Sequence, residues 1–288
     1  MRLLLTGANG FTGTHFSKVA SKAGYEIYPF QANLTDCHAV KIETLKINPD
    51  IIVHLAAISF VAHGDADAIY RVNITGTRNL LQALSALDKR PKAVLLASSA
   101  NVYGNTRVEQ IDESVPLLPA NDYGISKMAM EHVARLWMDR LPIIISRPFN
   151  YTGPGQDPKF LIPKIVDHFI RKEPVIELGN LDVEREFSDI RAICYIYQKL
   201  INTPEAIGKT FNICSGTAYS LRRIISTMEK IAGYKIDVKI NPKFVRPNEI
   251  KRLVGNNQYL HKIIGVQKYP CIEETLRWMY EDSLKTYS

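Results

Sequence analysis

Cysteine is scarce: four residues in 288, Cys37, Cys194, Cys214 and Cys271, lie far apart and form no CxxC pair. A zinc ribbon and a redox dithiol are therefore excluded, no metal site is expected, and the usage fits a reducing cytoplasm. Long apolar runs are missing too. The longest, residues 51–62, is interrupted by His54 and Ser59 and falls short of the roughly 20 residues a membrane span needs. The opening MRLLLTGANG has only three leucines before Thr6-Gly7, too few for the apolar stretch of a signal peptide. No membrane partner is expected. The net charge is +7, yet no block of five or six like charges occurs. The excess reads as dispersed surface charge serving small phosphate ligands, not as a nucleic-acid surface. Internal repeats and low-complexity stretches are absent as well.

What remains is an ordinary globular composition, 46% hydrophobic and 23% charged. At roughly 150 residues per domain the length suits one large domain or two intimate ones. In the first half, apolar strand-like runs alternate with amphipathic helical runs. Strands are predicted at 2–6, 25–30, 51–57, 92–98 and 143–147, and helices at 12–23, 36–46, 65–88 and 122–139. Continuous Ile, Val and Leu runs separated by helices predict a parallel sheet covered on both faces. The fold class is α/β: a doubly wound parallel sheet with a smaller C-terminal α/β substrate-binding domain. Residues 1–150, with about 186–204 returning, form the dinucleotide-binding part. Residues 151–185 and 205–288 form the second part.

The first strand runs into Thr6-Gly7-Ala8-Asn9-Gly10-Phe11-Thr12-Gly13, a GxxGxxG pattern that opens a helix. Gly7 allows the tight turn, Gly10 lets backbone N–H groups approach a pyrophosphate, and Gly13 lets the helix pack close to the strand. The helix N-terminus adds free N–H donors and a positive dipole end. Asn9, Phe11 and Thr12 belong to the same loop. A NAD-binding chain carries an acid at the end of the second strand, where it reads the ribose 2′-hydroxyl. That place falls on Gln31. With no carboxylate there to repel a 2′-phosphate, NADP(H) is favoured over NAD(H), although no Arg or Lys lies close by in sequence. Asn33 and Leu34 fall where the adenine edge would be contacted.

YxxxK occurs twice, at Tyr123/Lys127 and Tyr195/Lys199. Each pair is i,i+4 and shares a helix face, so spacing does not choose between them. Context does. Tyr123 opens a helix after the turn-like Pro119-Ala120-Asn121-Asp122, whereas Tyr195 sits mid-helix and reads as a packing residue. Ser98-Ser99 ends the fourth strand, at the sheet edge where ligands bind. A phenol is a poor base at neutral pH, and a neighbouring ammonium would move its pKa towards neutrality. Ser99 would donate to the oxygen on the reacting carbon.

These pieces resemble the extended short-chain dehydrogenase/reductase family, in its nucleotide-sugar branch. The resemblance rests on TGANGFTG at 6–13, HLAA at 54–57, NITGTRNLL at 73–81, SSANVYG at 98–104, YGISK at 123–127 and RPFNYTGPGQ at 147–156. It implies that Ser99, Tyr123 and Lys127 act as the catalytic triad, Tyr123 and Lys127 also touching the cofactor. It assigns Leu55, Ala56, Ala57 and Pro148 to the cofactor and Asn150 to the substrate side, with His54 and Asn73 structural. GNLDVEREF at 179–187 and RPNEI at 246–250 look like the GDP-mannose 4,6-dehydratases and the related GDP-4-keto-6-deoxymannose reductases. Arg185 and Arg246 would then hold the diphosphate, and Glu249 the nucleotide ribose. A homodimer through a four-helix bundle of the 65–88 and 122–139 helices is also implied.

A dehydratase needs an acid after the catalytic serine, and Ala100 and Asn101 stand there, neither able to move a proton. The sequence therefore favours NADP(H)-dependent reduction of a C4 keto group on an NDP-4-keto-6-deoxyhexose, with GDP-4-keto-6-deoxymannose first. The thymidine-linked sugar, a 4-epimerase keeping its NAD, and a dinucleotide-sensing module are the alternatives. Two departures from the subgroup stand out: Ala192, where an acid is usual, and Ile58, where relatives carry a polar residue.

Overall fold

The computed structural model describes residues 1–59, 64–244 and 252–287. In chain order the first part runs β1 (Arg2–Thr6), α1 (Phe11–Lys22), β2 (Glu26–Pro29), α2 (Cys37–Ile47) and β3 (Ile51–His54). It continues with α3 (Ala66–Tyr70), a π-helical turn (Arg71–Gly76), α4 (Thr77–Ser85) and β4 (Ala93–Ala97). A 3-10 turn (Ala100–Tyr103), α5 (Asp122–Arg135) and β5 (Ile143–Pro148) complete it. Then come β6 (Tyr151–Thr152), α6 (Leu161–Ile170), β7 (Val175–Leu178), β8 (Glu184–Glu186), β9 (Ser188–Asp189) and α7 (Ile190–Leu200). The remaining strands and α-helices are β10 (Thr210–Ile213), β11 (Ala218–Ser220), α8 (Leu221–Ala232), β12 (Asp237–Ile240), β13 (Arg252–Leu253), α9 (Gln258–Ile264) and α10 (Ile272–Tyr287), with short 3-10 turns at Pro204–Ala206 and Pro242–Phe244.

Six parallel strands form the main sheet in the order β10-β5-β4-β3-β1-β2. The chain leaves β1 to one side for β2 and returns on the other side with β3, so the strand order reverses at β1. Ligands bind outside the carboxyl ends of strands at such a point. The apolar strands divide by the two-residue period of a pleat. Leu3, Leu5, Ile51, Val53, Leu95 and Ile144 face one core with α1 and α7. Leu4, Ile52, Val94, Leu96, Ile143 and Ile145 face the other with α2, α4 and α5. Burial on both faces is why these runs read as continuous hydrophobics. A third core lies among α6, α8, α10 and β7.

Three sequence expectations are corrected. The 65–88 segment is not one regular helix. Asp65 caps its start, accepting from Ala68 N at 2.9 Å, but the helix widens into the π turn before α4. A π turn inserts one residue's worth of backbone and re-aims the side chains it carries, here Asn73. Residues 210–213, assigned to the second part, form β10 at the edge of the main sheet against β5. Leu260 of α9 joins the main core beside it, and Tyr259 stacks on Phe211 with ring centroids 5.3 Å apart. Finally, Tyr195 does not pack: its side chain lies 46% exposed on α7 with Lys199 against its ring, and Tyr197 fills the core instead. A two-residue offset on a helix turns a side chain through about 200°.

Candidate active site

The turn between β1 and α1 is built for close approach. Gly7 has φ +69°, and a Cβ on it would meet Ala56 N at 2.8 Å. A Cβ on Gly13 would lie 2.0 Å from Gly7 O, so helix and strand can be this close only with glycine there. Gly10 N donates to Gly7 O at 3.0 Å and is the N-cap of α1, with no side chain covering the first-turn amides. The N–H groups of such an uncapped first turn, here around Phe11, Thr12 and Gly13, have no intrahelical partner, which is the arrangement an anion such as a pyrophosphate needs. Thr12 Oγ1 is hydrogen bonded to the hydroxyl of the half-buried Tyr151 at 2.8 Å, and Phe11 stacks on the same ring, so β6 braces the loop.

Beside the loop, Thr6 fixes the segment after β3. Its Oγ1 accepts from Leu55 N at 3.1 Å and Ala56 N at 3.0 Å. Its own proton must therefore go to His54 Nδ1, 2.7 Å away. His54 Nε2–H then donates to Thr77 Oγ1 at 2.9 Å, and Thr77 donates to Asn73 O at 2.8 Å. The relay requires a neutral imidazole. Burial supplies one, pushing the His54 pKa down to about 3, with the Lys127 ammonium acting in the same direction. Asn73, carried on the π turn, accepts from Ile58 N and donates to Ile58 O and to Ser126 Oγ. One polar chain thus ties β1, β3, α4 and α5 around Leu55, Ala56 and Ala57.

At the outer edge, Gln31 follows β2 and its side chain turns back to Pro29 O at 3.4 Å. The backbone N–H groups of Gln31 and Ala32 both donate to the carboxylate of Glu43 on α2. Asn33 Oδ1 closes its own turn by accepting from Thr35 N and Oγ1. Leu34 is buried, packed so near Gly76 that a Cβ there would come within 2.9 Å of Leu34 Cβ.

The hydroxyl, phenol and ammonium meet at the carboxyl end of β4. Ser99 is the N-cap of the 3-10 turn. Its Oγ accepts from Asn101 N and Asn101 Nδ2, each at 3.1 Å, which leaves its proton free to donate. Asn121 caps α5 through Gly124 N at 2.8 Å and sets Tyr123 on the first turn. Gly124 lets α5 sit against the 3-10 turn, since a Cβ there would fall 2.7 Å from Asn101 O. Lys127 donates from Nζ to Ala97 O at 2.7 Å, and Nζ is 6.0 Å from the centre of the Tyr123 ring.

Electrostatics here differ from the sequence expectation. The Tyr123 pKa is not drawn towards neutrality. Burial pushes it above the ordinary phenol value and the neighbouring Tyr151 adds to this, against a hydrogen bond with Ser99 that pulls it down. Burial also lowers Lys127 from 10.5 to about 8, opposed by the carboxylate of Glu131. Desolvation is therefore the first cause of both shifts, and the phenol is kept as a proton donor. A pH dependence follows. Lys127 carries its ammonium below about pH 8 and loses it above. Because kcat/KM reports the free enzyme, kcat/KM for the dinucleotide should fall by about tenfold per pH unit beyond that point. A steady-state profile from pH 6 to 10 checks this, and a flat alkaline side would refute it.

Behind the site lies a buried ionic network. Arg147 donates from Nε and Nη2 to Glu131 at 2.8 and 2.6 Å, and from Nη1 to the Tyr103 hydroxyl at 2.8 Å. Ser98 donates to Glu131 at 2.6 Å, and Tyr103 donates to Asn212 Oδ1 at 2.7 Å. Ser98-Ser99, α5, β5 and β10 are thereby locked together.

Pro148 ends β5 opposite Ile213. Asn150 lies exposed just beyond, its carbonyl accepting from Ser188 N at 2.8 Å, which leads from the main sheet to β8 and β9. Arg185 stands on β8 and donates to Glu184 O at 2.9 Å. Its neighbour Glu186 is buried, which raises its pKa to about 7, and it gathers the N–H groups of Ser215, Gly216 and Gly255. Arg246 and Glu249 lie outside the described residues. Ala192 is buried on α7, and Asp189 already supplies the cap of that helix, accepting from Arg191 N at 2.7 Å.

Sequence reasoning brought forward the glycine loop and the three catalytic candidates but missed Thr6, Glu43, Asn101, Glu131 and Tyr151. Glu131 carried a signal, one turn beyond Lys127 on the same helix face. Thr6 and Tyr151 act on partners more than 40 positions away, Glu43 reaches backbone amides 11 and 12 positions back, and Asn101 sits two residues from Ser99, where no periodicity marks it. No helix among the described residues is long and apolar enough to cross a membrane.

The GDP-mannose 4,6 dehydratase family model matches residues 30–279. A curated relative from Aggregatibacter actinomycetemcomitans, GDP-6-deoxy-D-talose 4-dehydrogenase, is 34% identical over 99% of this chain and 98% of its own. GDP-6-deoxy-D-mannose reductase from Pseudomonas aeruginosa is 30% identical over 98% of this chain and 96% of its own. The solved Pseudomonas aeruginosa RMD, complexed with NADPH, covers 99% of both chains at 28% identity with a TM-score of 0.91. A Burkholderia cenocepacia J2315 structure, provisionally named an epimerase, reaches 46% identity and a TM-score of 0.94, over 99% of this chain and 98% of that one. On the glycine loop, the strand-end serines, the YxxxK helix and these full-length matches together, the chain belongs to the GDP-mannose 4,6-dehydratase family of extended short-chain dehydrogenases/reductases.

Proposed function

We propose that this chain reduces the C4 keto group of an NDP-4-keto-6-deoxyhexose, with GDP-4-keto-6-deoxymannose as its substrate. The observation that carries the reading is the cluster of Ser99, Tyr123 and Lys127 beside the glycine loop, with no acid after Ser99. A reduced nicotinamide dinucleotide bound on Gly7–Gly13 supplies the hydride. Tyr123 delivers its proton to the oxygen as C4 becomes an alcohol, so one ketone is reduced and one dinucleotide oxidised. Ser99 Oγ, held by Asn101, donates to that oxygen, where charge develops in the transition state. Lys127, anchored on Ala97 O, stabilises the phenolate left behind until solvent reprotonates it. Dehydration would need a proton carrier at position 100 or 101. Ala100 offers none, and the Asn101 amide is spent on Ser99.

Asn150, whose carbonyl accepts from Ser188 N, and Arg185 on β8 would border the sugar diphosphate, and the family resemblance assigns Arg246 and Glu249 to the diphosphate and the ribose. The relatives named for GDP-6-deoxyhexoses support the guanosine base and the C4 position, oxidation at C4 being the same chemistry reversed. A cytoplasmic homodimer pairing α4 and α5 with a second copy belongs to the same reading. The coenzyme is a nicotinamide dinucleotide: Gln31, from which NADP(H) is expected, carries no charge against a 2′-phosphate, while the Glu43 carboxylate stands at the same edge.

The deciding experiment follows absorbance at 340 nm with reduced coenzyme and GDP-4-keto-6-deoxymannose generated in place. Oxidation that depends on the keto sugar is the expected result. Activity with the thymidine-linked sugar alone would move the base assignment. No oxidation, with dinucleotide retained through purification, would favour a 4-epimerase.

A further inference from the structure

We infer that Glu43 is the coenzyme-specificity residue of this chain and that it selects NAD(H) against NADP(H). The inference rests on the dinucleotide lying on the glycine loop, as in the reading above. In a doubly wound sheet the adenosine ribose reaches the end of the second strand, where an acid reads its 2′-hydroxyl. Here that strand-end position is the neutral Gln31, whose amide is turned back on Pro29. The acid comes from the following helix instead. Glu43 Oε1 accepts from Gln31 N at 2.9 Å, and Oε2 accepts from Ala32 N.

Two consequences have the same sign. The backbone N–H groups that a 2′-phosphate would need at this edge are already taken. A carboxylate also stands beside the place where the phosphate's negative charge would have to sit. A ribose hydroxyl meets the opposite situation. A carboxylate has about four lone-pair positions and the two amides use two, so it can still accept from a 2′- or 3′-OH. A phosphate has no proton to offer and is repelled. For two like charges about 6 Å apart in a medium of effective dielectric constant near 40, the repulsion corresponds to about a tenfold change in affinity.

The test is binding, not turnover. The full-length protein is titrated with NADH and with NADPH, following nicotinamide fluorescence, for the native chain and for Glu43→Gln. Native protein should bind NADH at least tenfold more tightly. Glu43→Gln, which removes the charge and keeps one amide acceptor, should narrow the gap about tenfold, strengthening NADPH and weakening NADH at most slightly. Native protein that binds NADPH as tightly as NADH overturns the inference. So does a variant that weakens both coenzymes equally, since that marks Glu43 as a brace for the strand end only. Should the variant fail to fold, 5′-AMP and adenosine 2′,5′-bisphosphate are compared on the native protein. A discrimination against the bisphosphate that shrinks between 20 mM and 500 mM salt supports charge repulsion, and its absence overturns it. If neither dinucleotide binds at all, the oxidoreductase reading itself fails.

Discussion

Tyr123→Phe should lower kcat by about 10³-fold while leaving dinucleotide affinity within about threefold. The phenol is buried at the first turn of α5, and Phe fills the same volume, so the loss isolates the hydroxyl. Positioned proton transfer contributes 10²–10⁴-fold, and few other groups at this place can substitute. Ser99 has an ordinary alcohol proton, and Lys127 is turned to Ala97 O. The measurement pairs single-turnover oxidation of bound reduced coenzyme with a coenzyme titration. A fall of less than tenfold would put the proton donor elsewhere. A loss of coenzyme affinity equal to the loss of rate would make Tyr123 a binding residue.

Arg147→Met should destabilise the fold by about 3–5 kcal/mol, because it takes the bidentate partner from a carboxylate buried in the core and leaves Glu131 only Ser98 and the longer 3.8 Å pair with Arg135. Side-chain exposures of 3% for Arg147 and 0% for Glu131 leave water no access to compensate. For a chain of this size the corresponding fall in melting temperature is on the order of 10 °C. Thermal unfolding of Arg147→Met beside the double variant Arg147→Met/Glu131→Leu separates the causes. The double variant should recover a large part of the loss, since two apolar residues leave no buried charge. A double variant as unstable as the single one would assign the loss to packing around Tyr103, over whose ring Arg147 lies at 5.0 Å. The network also holds Ser98, one residue before the proposed oxyanion donor, so the single variant should lose activity below its own melting range.

The dinucleotide loop was readable because each glycine answers a local demand: a positive φ at Gly7, and contact with the strand at Gly13. The strands were readable because burial on both faces leaves an uninterrupted apolar run. Tyr123 was separable from Tyr195 by its place at a helix start, although the predicted burial of Tyr195 was wrong. Periodicity gives the face of a helix only when its neighbours are known, and α7 packs with its Tyr197 side inward.

The sequence by itself determined the parallel sheet, the glycine turn, the strand-end serine and the YxxxK helix. All of these follow from residues within a few positions of one another, where backbone preference and side-chain period act directly. The tertiary structure alone decided the rest. It brought Thr6, His54, Thr77 and Asn73 into one hydrogen-bonded chain across four elements. It moved 210–213 into the main sheet, and it set Glu43 on the amides after β2, twelve positions from Gln31. It also reversed the expected shift of Tyr123, because desolvation depends on how completely neighbouring elements cover a group, and no spacing of residues along a chain records that.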